Sequence, residues 1–580
     1  MLIESHLEAL ATRAILDQTG QVSPALLKAT SDARHGDYQV NAAMALGKKL
    51  GRPPREIATE IASQLEQADE IASAEVAGPG FINLKLENAW LATCLSDAVK
   101  DHKRDGVDSV AEPKKVVVDF SSPNIAKQMH VGHLRSTIIG DSLSKILRFV
   151  GHQVIGDNHI GDWGTQYGLL LVGMREFGDA QALNDSPIVE LERIYKAASA
   201  KAKEDEDFAQ AARLELAKLQ NGDAENLRLW KQFVETTRVE LDKIYERMEI
   251  HFDEWLGESF FNPMLKGVVD ELVEKKIARL DDGAQAIFWG EIDQAPPKLK
   301  KQKEPFLVQK KDGAFLYSTT DIAALKFRHH EWKADASLYV VDARQAGHFK
   351  QLFAVAELLE IPMELAHISF GTVLDEHGKP LKTRDGKAVT LASLLDEAEK
   401  RARLRLDEGI AEGRLRVEPE KLDEVARKVG IGAVKYADLR QNRASDYQFD
   451  WDKLVSFQGN AGPYLQYAFA RISSIFDKAD TTIDQAEAQI ELDAPEAERL
   501  ARVLVRFSQV LHQASQNYLP HLLTDHLFEL AKAFMSFYEA CPVLKAEGNV
   551  KDSRLALSAL TARQMRRGLG LLGIATVDKM

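Results

Sequence analysis

Two histidines three residues apart, His130 and His133, are the side chains of this sequence best suited to chemistry on a phosphate. They enclose Gly132 and stand where a helical pattern begins, so both face the same side of that helix. A helix N-terminus offers unpaired N–H groups and a positive dipole end to an anion, and a glycine there lets the ligand approach the backbone closely. Imidazoles in this position can donate hydrogen bonds to phosphate oxygens that gain charge during a displacement.

The histidine pair permits two other interpretations. A metal site would need a third and a fourth ligand, and none lies nearby at a sensible spacing. Core or helix-capping histidines are commoner in general. The surroundings favour a ligand site, because the pair follows an apolar strand pattern that ends near Asp119 and the polar loop 121–124. Ligands of open α/β sheets bind beyond the carboxyl ends of the strands.

The elements around the histidines form a βαβ pattern. A short apolar strand is predicted at 116–120, a helix runs to Val150, and a second strand follows at 153–157. This order implies a parallel sheet with a right-handed crossover, with later strands at 338–342 and 366–371. Charged and largely helical material at about 185–300 interrupts the sheet domain as an insertion.

The two ends of the chain have other patterns. Residues 1–86 combine helical periodicity with a strand at 81–86, which predicts a small α+β domain, and 87–112 is a connector. From Val417 onward the chain is predicted to be helical throughout. The fold class predicted is a multidomain α/β protein with an all-α C-terminal domain.

Composition excludes several classes of protein. The 580 residues carry a formal charge of −14, so an overall basic footprint for nucleic acid is absent and any such partner must meet local patches. Between 501 and 580, ten Lys and Arg face six Asp and Glu, an excess that an ordinary solvated helical face also explains. Two cysteines exclude a disulfide framework and a zinc site of several thiolates. Without a long apolar run or a signal peptide, we expect a cytoplasmic protein that does not enter a membrane.

The run 119–137 resembles the signature of the class I arginyl-tRNA synthetases, which carry His-x-Gly-His in a Rossmann-like catalytic domain. The prefix Ser-Pro-Asn-Ile-Ala-Lys at 122–127 is similar to that of the arginine enzymes in particular. The resemblance continues at 157–166, 317–321, 342–348 and 462–468.

The resemblance implies an arginine pocket. A guanidinium is a planar fork that carboxylates bind best, and Asp119 and Asp321 are the acids of these motifs best placed to do so. For Asp321 the alternative is a helix N-cap, since helical residues follow it directly. The resemblance implies that Asp119, Tyr317 and Asp321 surround the guanidinium. It places the amino and carboxylate end of arginine near Ser122, Pro123, Asn124 and Gln345. His133 would lie between arginine and ATP.

The second class I signature, Lys-Met-Ser-Lys-Ser, is absent. The basic stretch 377–386 stands in its place and provides Lys379, Lys382 and Arg384 for the ATP phosphates, although alone it is typical of a charged surface turn. The resemblance implies that Lys127 compensates for the missing lysine. We therefore expect a catalytic set of Lys127, His130, His133 and Lys382, and an ATP site of His130, Gly132, His133, Lys379, Lys382 and Arg384. Mg²⁺ is expected to arrive bound to ATP, with no metal ligands of the protein's own.

The resemblance implies a ligase that activates L-arginine with ATP and transfers arginyl to tRNA(Arg), acting as a monomer. It assigns 1–86 to the tRNA elbow, 113–395 to catalysis, 396–450 to a helical stem-contact junction and 451–580 to anticodon binding. Two rivals come from other classes. A small-molecule nucleotidylyltransferase would not need the long helical region after the sheet. A catalytically inactive RNA-binding relative would have lost pocket residues that are present here.

Overall fold

A computed structural model describes residues 2–30, 35–381 and 389–580. The chain forms two compact units. One contains Met1–Val110, Ala402–Tyr436 and Val455–Met580, and the other contains Ala111–Arg401 and Ala437–Leu454. None of the helices in the described part is long and apolar enough to cross a bilayer.

The unit with the histidines is built on a four-stranded parallel sheet of β5 (Lys115–Asp119), β6 (Gln153–Asp157), β10 (Ala336–Tyr339) and β11 (Glu364–His367). The strand order is β11-β10-β5-β6. Three buried valines form the centre of β5, as a strand covered on both faces requires. The predicted parallel sheet is confirmed, although β11 begins and ends earlier than the predicted strand 366–371.

The strand register places acidic residues together at one edge. Asp119, the last residue of β5, pairs with Asp157 of β6 and with Tyr339 of β10. Helix α5 (Val131–Val150) connects β5 to β6 and ends at Gly151, whose φ of 112° is readily adopted only by glycine. The loops at the carboxyl ends of the strands therefore meet where the sequence predicts a ligand site.

The insertion is only partly helical. It contains six helices: α7 (Ala180–Asp185), α8 (Pro187–Glu204), α9 (Glu206–Gln220), α10 (Ala224–Arg247), α11 (Glu258–Phe261) and α12 (Leu265–Glu274). It then forms an antiparallel sheet that the sequence analysis missed, composed of β7 (Arg279–Asp281), β8 (Ala284–Ile287) and β9 (Phe306–Gln309). These strands are too short to give a clear alternating pattern.

The remaining elements of this unit surround the sheet and its loops. They are α6 (Gln166–Phe177), α13 (Tyr317–His330), α14 (Ala346–Leu358), β12 (Val373–Leu374), the first part of α15 (Leu391–Ala411), β13 (Tyr447–Gln448) and α17 (Trp451–Leu454). Strand β13 pairs in parallel with β12. The prediction that the chain is helical throughout from 417 onward is therefore wrong at 447–448, where an extended segment completes a small sheet.

The other unit combines the N-terminal residues with the C-terminal helices. Its antiparallel sheet has the order β1-β2-β4-β3, with β1 (Lys28–Ala29), β2 (Tyr38–Val40), β3 (Ile71–Ala77) and β4 (Phe81–Leu86). Its helices are α1 (Ile3–Thr19), α2 (Ala43–Leu50), α3 (Pro54–Leu65), α4 (Asn88–Lys100), most of α16 (Leu422–Leu439), α18 (Gly462–Ala479), α19 (Pro495–Leu504), α20 (Phe507–Asn517), α21 (His521–Ala540) and α22 (Gly548–Leu571). The predicted α+β character of the first 86 residues is confirmed.

Candidate active site

The loop after β5 has an unusual backbone. Ser121, Ser122 and Ala126 have φ values of 72°, 46° and 58°, a region that costs non-glycine residues free energy. Buried hydrogen bonds hold this conformation: the backbone N–H of Ser121 donates to Ser136 Oγ over 2.9 Å, and its hydroxyl lies 2.7 Å from Tyr245 Oη. Such strain is found where the surrounding structure over-determines the backbone, and it clusters at functional sites.

The predicted contacts for the amino and carboxylate end of arginine lie on this loop. The Ser122 N–H donates to Asn158 Oδ1 over 3.0 Å, and the carbonyl of buried Pro123 accepts from the Gly161 N–H over 3.1 Å. Asn124 is exposed and lies beside Gly161. A Cβ atom added to Gly161 would lie 2.4 Å from Asn124 Oδ1. Glycine at 161 therefore lets the loops after β5 and β6 lie against each other.

The two histidines cap helix α5 reciprocally. His130 Nδ1 accepts from the Gly132 N–H over 3.0 Å, and His133 Nδ1 accepts from the His130 N–H over 3.2 Å. The capping interpretation is thus correct, and it is compatible with a ligand site. Because each Nδ1 accepts an N–H, a neutral imidazole carries its proton on Nε2. Neither Nε2 makes a hydrogen bond to another described residue, so both remain available as donors.

Both histidines are held in the neutral form. Burial lowers the pKa of His133 to about 4, with a further contribution from the neighbouring His130. Burial also lowers the pKa of His130 below its usual range, partly opposed by the carboxylate of Glu192. Since both groups are neutral near pH 7, they are suited to serve as preorganised dipolar donors at the N-terminus of α5.

The predicted cations for the phosphates lie on two loops. Lys127 Nζ lies 5.3 Å from the centre of the Tyr195 ring, and its positive charge helps to lower the pKa of both histidines. Lys379 is exposed in a turn where its N–H donates to Asp375 Oδ1 over 2.9 Å. Lys382 and Arg384 lie outside the described residues.

Asp321 belongs to a cluster on α13 and α14. Helix α13 begins at Tyr317, so Asp321 lies in its second turn and the N-cap interpretation is wrong. His348 Nε2 lies 2.6 Å from Asp321 Oδ2, and the His348 ring centre lies 4.9 Å from that of the half-exposed Tyr317. The structure thus brings Tyr317 and Asp321 together through His348, a residue of the 342–348 motif to which the sequence assigned no role.

Glu258 is a second acid that interacts electrostatically with Asp321, and the sequence analysis missed it. Burial, the negative charge of Asp321 and that of Asp162 raise the pKa of Glu258 to about 7, against the opposing influence of His159. A single glutamate in the insertion has no sequence feature that would distinguish it. Two acids in a partly buried site form a suitable environment for a guanidinium.

Asp119 has an internal partner in the described structure. Arg328 Nη2 lies 2.7 Å from Asp119 Oδ2 and 2.7 Å from Asp157 Oδ2, and the Ser122 hydroxyl donates to Asp119 Oδ1 over 3.0 Å. All three charged groups are buried. Arg328 therefore fastens the ends of β5 and β6 together, and direct contact of Asp119 with a ligand stays a prediction.

Gln345 is exposed at the same edge of the sheet, in the short 3₁₀ helix Ala343–Gln345 after β10. Among the described residues, no three His, Cys, Asp or Glu side chains come together as metal ligands.

Comparison with known families covers nearly the whole chain. The family model of the class I tRNA synthetase (R) catalytic domain matches residues 95–451. The DALR anticodon binding domain matches 465–580, and the arginyl tRNA synthetase N terminal domain matches 2–86.

Individual relatives agree with these matches. The arginine--tRNA ligase of Laribacter hongkongensis is 44% identical over 565 residues, or 96% of each chain. That of Chromobacterium violaceum is 44% identical over 568 residues, with 96% of each chain covered. The arginyl-tRNA synthetase structure from Plasmodium falciparum has a TM-score of 0.86 at 28% identity, covering 100% of this chain and 99% of that one. The Thermus thermophilus structure shares the fold, with a TM-score of 0.79 at 24% identity and full coverage of both chains.

The strained loop, the capped histidines and the acids Asp321 and Glu258 (the acidic cluster) thus lie within the matched catalytic domain. The family models and the individual relatives agree on the family, and the chain belongs to the arginyl-tRNA synthetases, the class I ATP-dependent ligases that activate arginine and charge tRNA.

Proposed function

We propose that this chain forms arginyl-adenylate at the N-terminus of α5 and then transfers arginyl to the terminal adenosine of tRNA(Arg). The observation that carries the proposal is the reciprocal capping of His130 and His133, which leaves two neutral Nε2–H donors beside the strained loop. Mg²⁺ enters with ATP as part of the substrate, with the phosphates and water supplying most of its ligands.

The first step is an in-line displacement. A carboxylate oxygen of arginine attacks the α-phosphorus of ATP, and the bond to the oxygen bridging the α- and β-phosphates breaks, so pyrophosphate leaves with that electron pair. The nucleophile is already an anion, so no general base is required. Lys127, His130 and His133 stabilise the negative charge that develops on the phosphate oxygens, and Lys379, Lys382 and Arg384 bind the other phosphates. In the second step a ribose hydroxyl of the tRNA attacks the arginyl carbonyl carbon, the bond from that carbon to the phosphate oxygen breaks, and AMP leaves with the electron pair while a phosphate oxygen of AMP takes the hydroxyl proton.

Specificity for arginine is assigned to the acidic cluster. Asp321 and Glu258 face the guanidinium, Tyr317 packs on it, and Asp119 is assigned to the same group. Ser122, Pro123, Asn124 and Gln345 are assigned to the amino and carboxylate end. An apolar side chain in this site would cover two acids without supplying a cation to pair with them, which disfavours most other amino acids.

The wider assignments follow the predicted domains. Residues 1–86 contact the tRNA elbow, 396–450 the stem junction and 451–580 the anticodon, and the enzyme works as a cytoplasmic monomer. Two free cysteines, Cys94 and Cys541, are compatible with a reducing compartment.

The test is pyrophosphate exchange across the twenty amino acids, with and without tRNA(Arg), for the wild type and for Lys127→Ala, His130→Ala and His133→Ala. Exchange should be specific for arginine, and each variant should lose about 10²–10³ in rate. The exposed His330→Ala serves as the matched control and should behave as the wild type. Normal turnover in all three variants, with folding verified by circular dichroism, would place the reaction elsewhere.

A further inference from the structure

The described segments on either side of the basic stretch 377–386 are both hydrogen-bonded to the rest of this unit. On the N-terminal side, the Gly371 N–H donates to the Arg443 carbonyl over 2.9 Å and the Thr372 N–H donates to Asp446 Oδ1 over 2.6 Å. The pairing of β12 with β13 continues this contact, so the segment 443–449 forms the first anchor of the loop.

The second anchor is the N-terminus of α5. The Val131 N–H donates to the Val389 carbonyl over 3.0 Å, and the Leu391 N–H donates to the Met129 carbonyl over 2.9 Å. His130 itself forms an isolated antiparallel bridge with Thr390. The chain that returns from the basic loop is therefore fixed directly to the residues that carry the histidines.

Arg135 joins the two anchors. It lies two residues after His133 on α5, and its Nε atom is 3.2 Å from Asp438 Oδ2, with both side chains at most 1% exposed. Its Nη1 atom donates to the Ser445 carbonyl over 3.0 Å, within the first anchor. Its guanidinium also lies 5.2 Å from the ring centre of Tyr447.

The packing around Arg135 and Asp438 leaves these two side chains little conformational freedom. The Tyr447 hydroxyl donates to Asp438 Oδ2 over 3.2 Å, so the carboxylate is shared between Arg135 and β13. A Cβ atom at Gly371 would lie 2.5 Å from Asp446 Oδ1 and 2.6 Å from the Ser445 carbonyl, so only glycine fits there. Directional bonds and close packing together fix the distance from α5 to the start of the basic loop.

We propose that Arg135 and Asp438 are positioning residues for the first reaction step, which hold the described turn that carries Lys379 at the correct distance from His130 and His133. This inference rests on the proposed function. A buried ion pair is a costly way to gain stability, since apolar residues of similar volume often serve as well. A guanidinium, however, can hold a carboxylate and a backbone carbonyl at set angles, which an apolar side chain cannot.

The experiment measures pyrophosphate exchange in the full-length enzyme for Arg135→Met, Arg135→Lys and Asp438→Asn, with saturating tRNA(Arg) and separate titrations of ATP and arginine. Misplacement of a binding loop by about 1 Å can cost roughly 10²-fold in rate. We expect Arg135→Met and Asp438→Asn to lower kcat/KM for ATP by about 10- to 100-fold while the KM for arginine stays within about twofold. Arg135→Lys keeps the charge without the fork and should recover only part of the loss.

Lys145→Met is the matched control, because Lys145 pairs with Asp141 on the same helix without contacting either anchor. It should leave both KM values unchanged. Thermal unfolding of each variant separates folding from positioning, and Asp438→Asn decides the outcome if Arg135→Met does not fold. The proposal is overturned if the folded variants keep the wild-type kcat/KM for ATP, if the KM for arginine rises equally, or if no variant folds. Failure of the proposed function would differ, since His130→Ala would then also retain activity.

Discussion

The Nε2 atom of His348 lies 2.6 Å from Oδ2 of Asp321, and the His348 ring also packs against Tyr317. A carboxylate can only accept, so His348 donates this bond and fixes the orientation of Asp321. The His348 side chain is 8% exposed while that of Asp321 is 23% exposed, which places the histidine behind the acid as seen from solvent. One residue thus aligns two of the groups assigned to the guanidinium.

Replacing His348 by phenylalanine keeps an aromatic ring and removes the donor. A hydrogen bond to a charged group contributes about 1.5–3 kcal/mol, so the KM for arginine should rise roughly 10- to 100-fold with the KM for ATP unchanged. Glutamine places an N–H near the position of Nε2, so His348→Gln should retain most of the affinity. Equal arginine KM values for the two variants would show that the bond does not orient Asp321.

The raised pKa of Glu258 predicts proton release when arginine binds. With a pKa of about 7, this carboxyl is partly protonated in the empty site at neutral pH, whereas a bound guanidinium favours its ionised form. The affinity for arginine should therefore increase as the pH rises from 6 to 8. Calorimetric titrations in buffers of different ionisation enthalpy measure the proton count directly. Glu258→Gln should abolish the release, and a pH-independent affinity in the wild type would exclude Glu258 from the pocket.

The neutral state of His133 predicts that its contribution to adenylate formation does not change between pH 8 and 6. Because the pKa of His133 lies near 4, this imidazole gains no proton between pH 8 and 6, and burial also lowers the pKa of His130. The same shift links to stability: the folded state loses stability as the pH falls from about 6.5, where a histidine of the unfolded chain gains its proton, towards 4. NMR titration of ¹³C-labelled histidines measures the pKa values of His130 and His133. A pKa near 6.5 for His133 would contradict the buried, neutral assignment.

The sequence allowed prediction of those parts of the site that lie close together along the chain. The apolar run of β5, the loop after it and the histidines occupy a single stretch, so their order along the chain predicts their arrangement. The bond between Asp119 and Arg328 joins residues 209 positions apart, and no local pattern indicates it. Glu258 and His348 depend in the same way on how the insertion and α14 pack, which periodicity does not determine. A capping role for Asp321 would start α13 at Ile322, five residues after its observed start at Tyr317.

The resemblance to the arginine enzymes, together with the incomplete basic signature, implies that tRNA participates in the first step. With ATP and arginine alone, pyrophosphate exchange should be nearly absent, and it should appear when tRNA(Arg) is added. Bound tRNA can shift the catalytic domain towards a competent state only if it binds that state more tightly. The measurement requires enzyme freed of RNA by nuclease treatment and checked by absorbance. Robust exchange by that enzyme would limit tRNA to the role of acceptor.

In the proposed site, Asp321 and the residues around it recognise the positive charge of the arginine guanidinium. Asp321→Asn preserves the shape of the side chain and removes one charge, and losing one partner of a buried charge pair costs about 2–5 kcal/mol. The decisive measurement is the ratio of kcat/KM for arginine to that for citrulline, a neutral analogue of similar shape, in the wild type and in Asp321→Asn. We expect the variant to lose most of its discrimination through a large rise in the arginine KM, with the ATP KM little changed. A variant that keeps the wild-type ratio and arginine KM would contradict the assignment of Asp321 to the guanidinium.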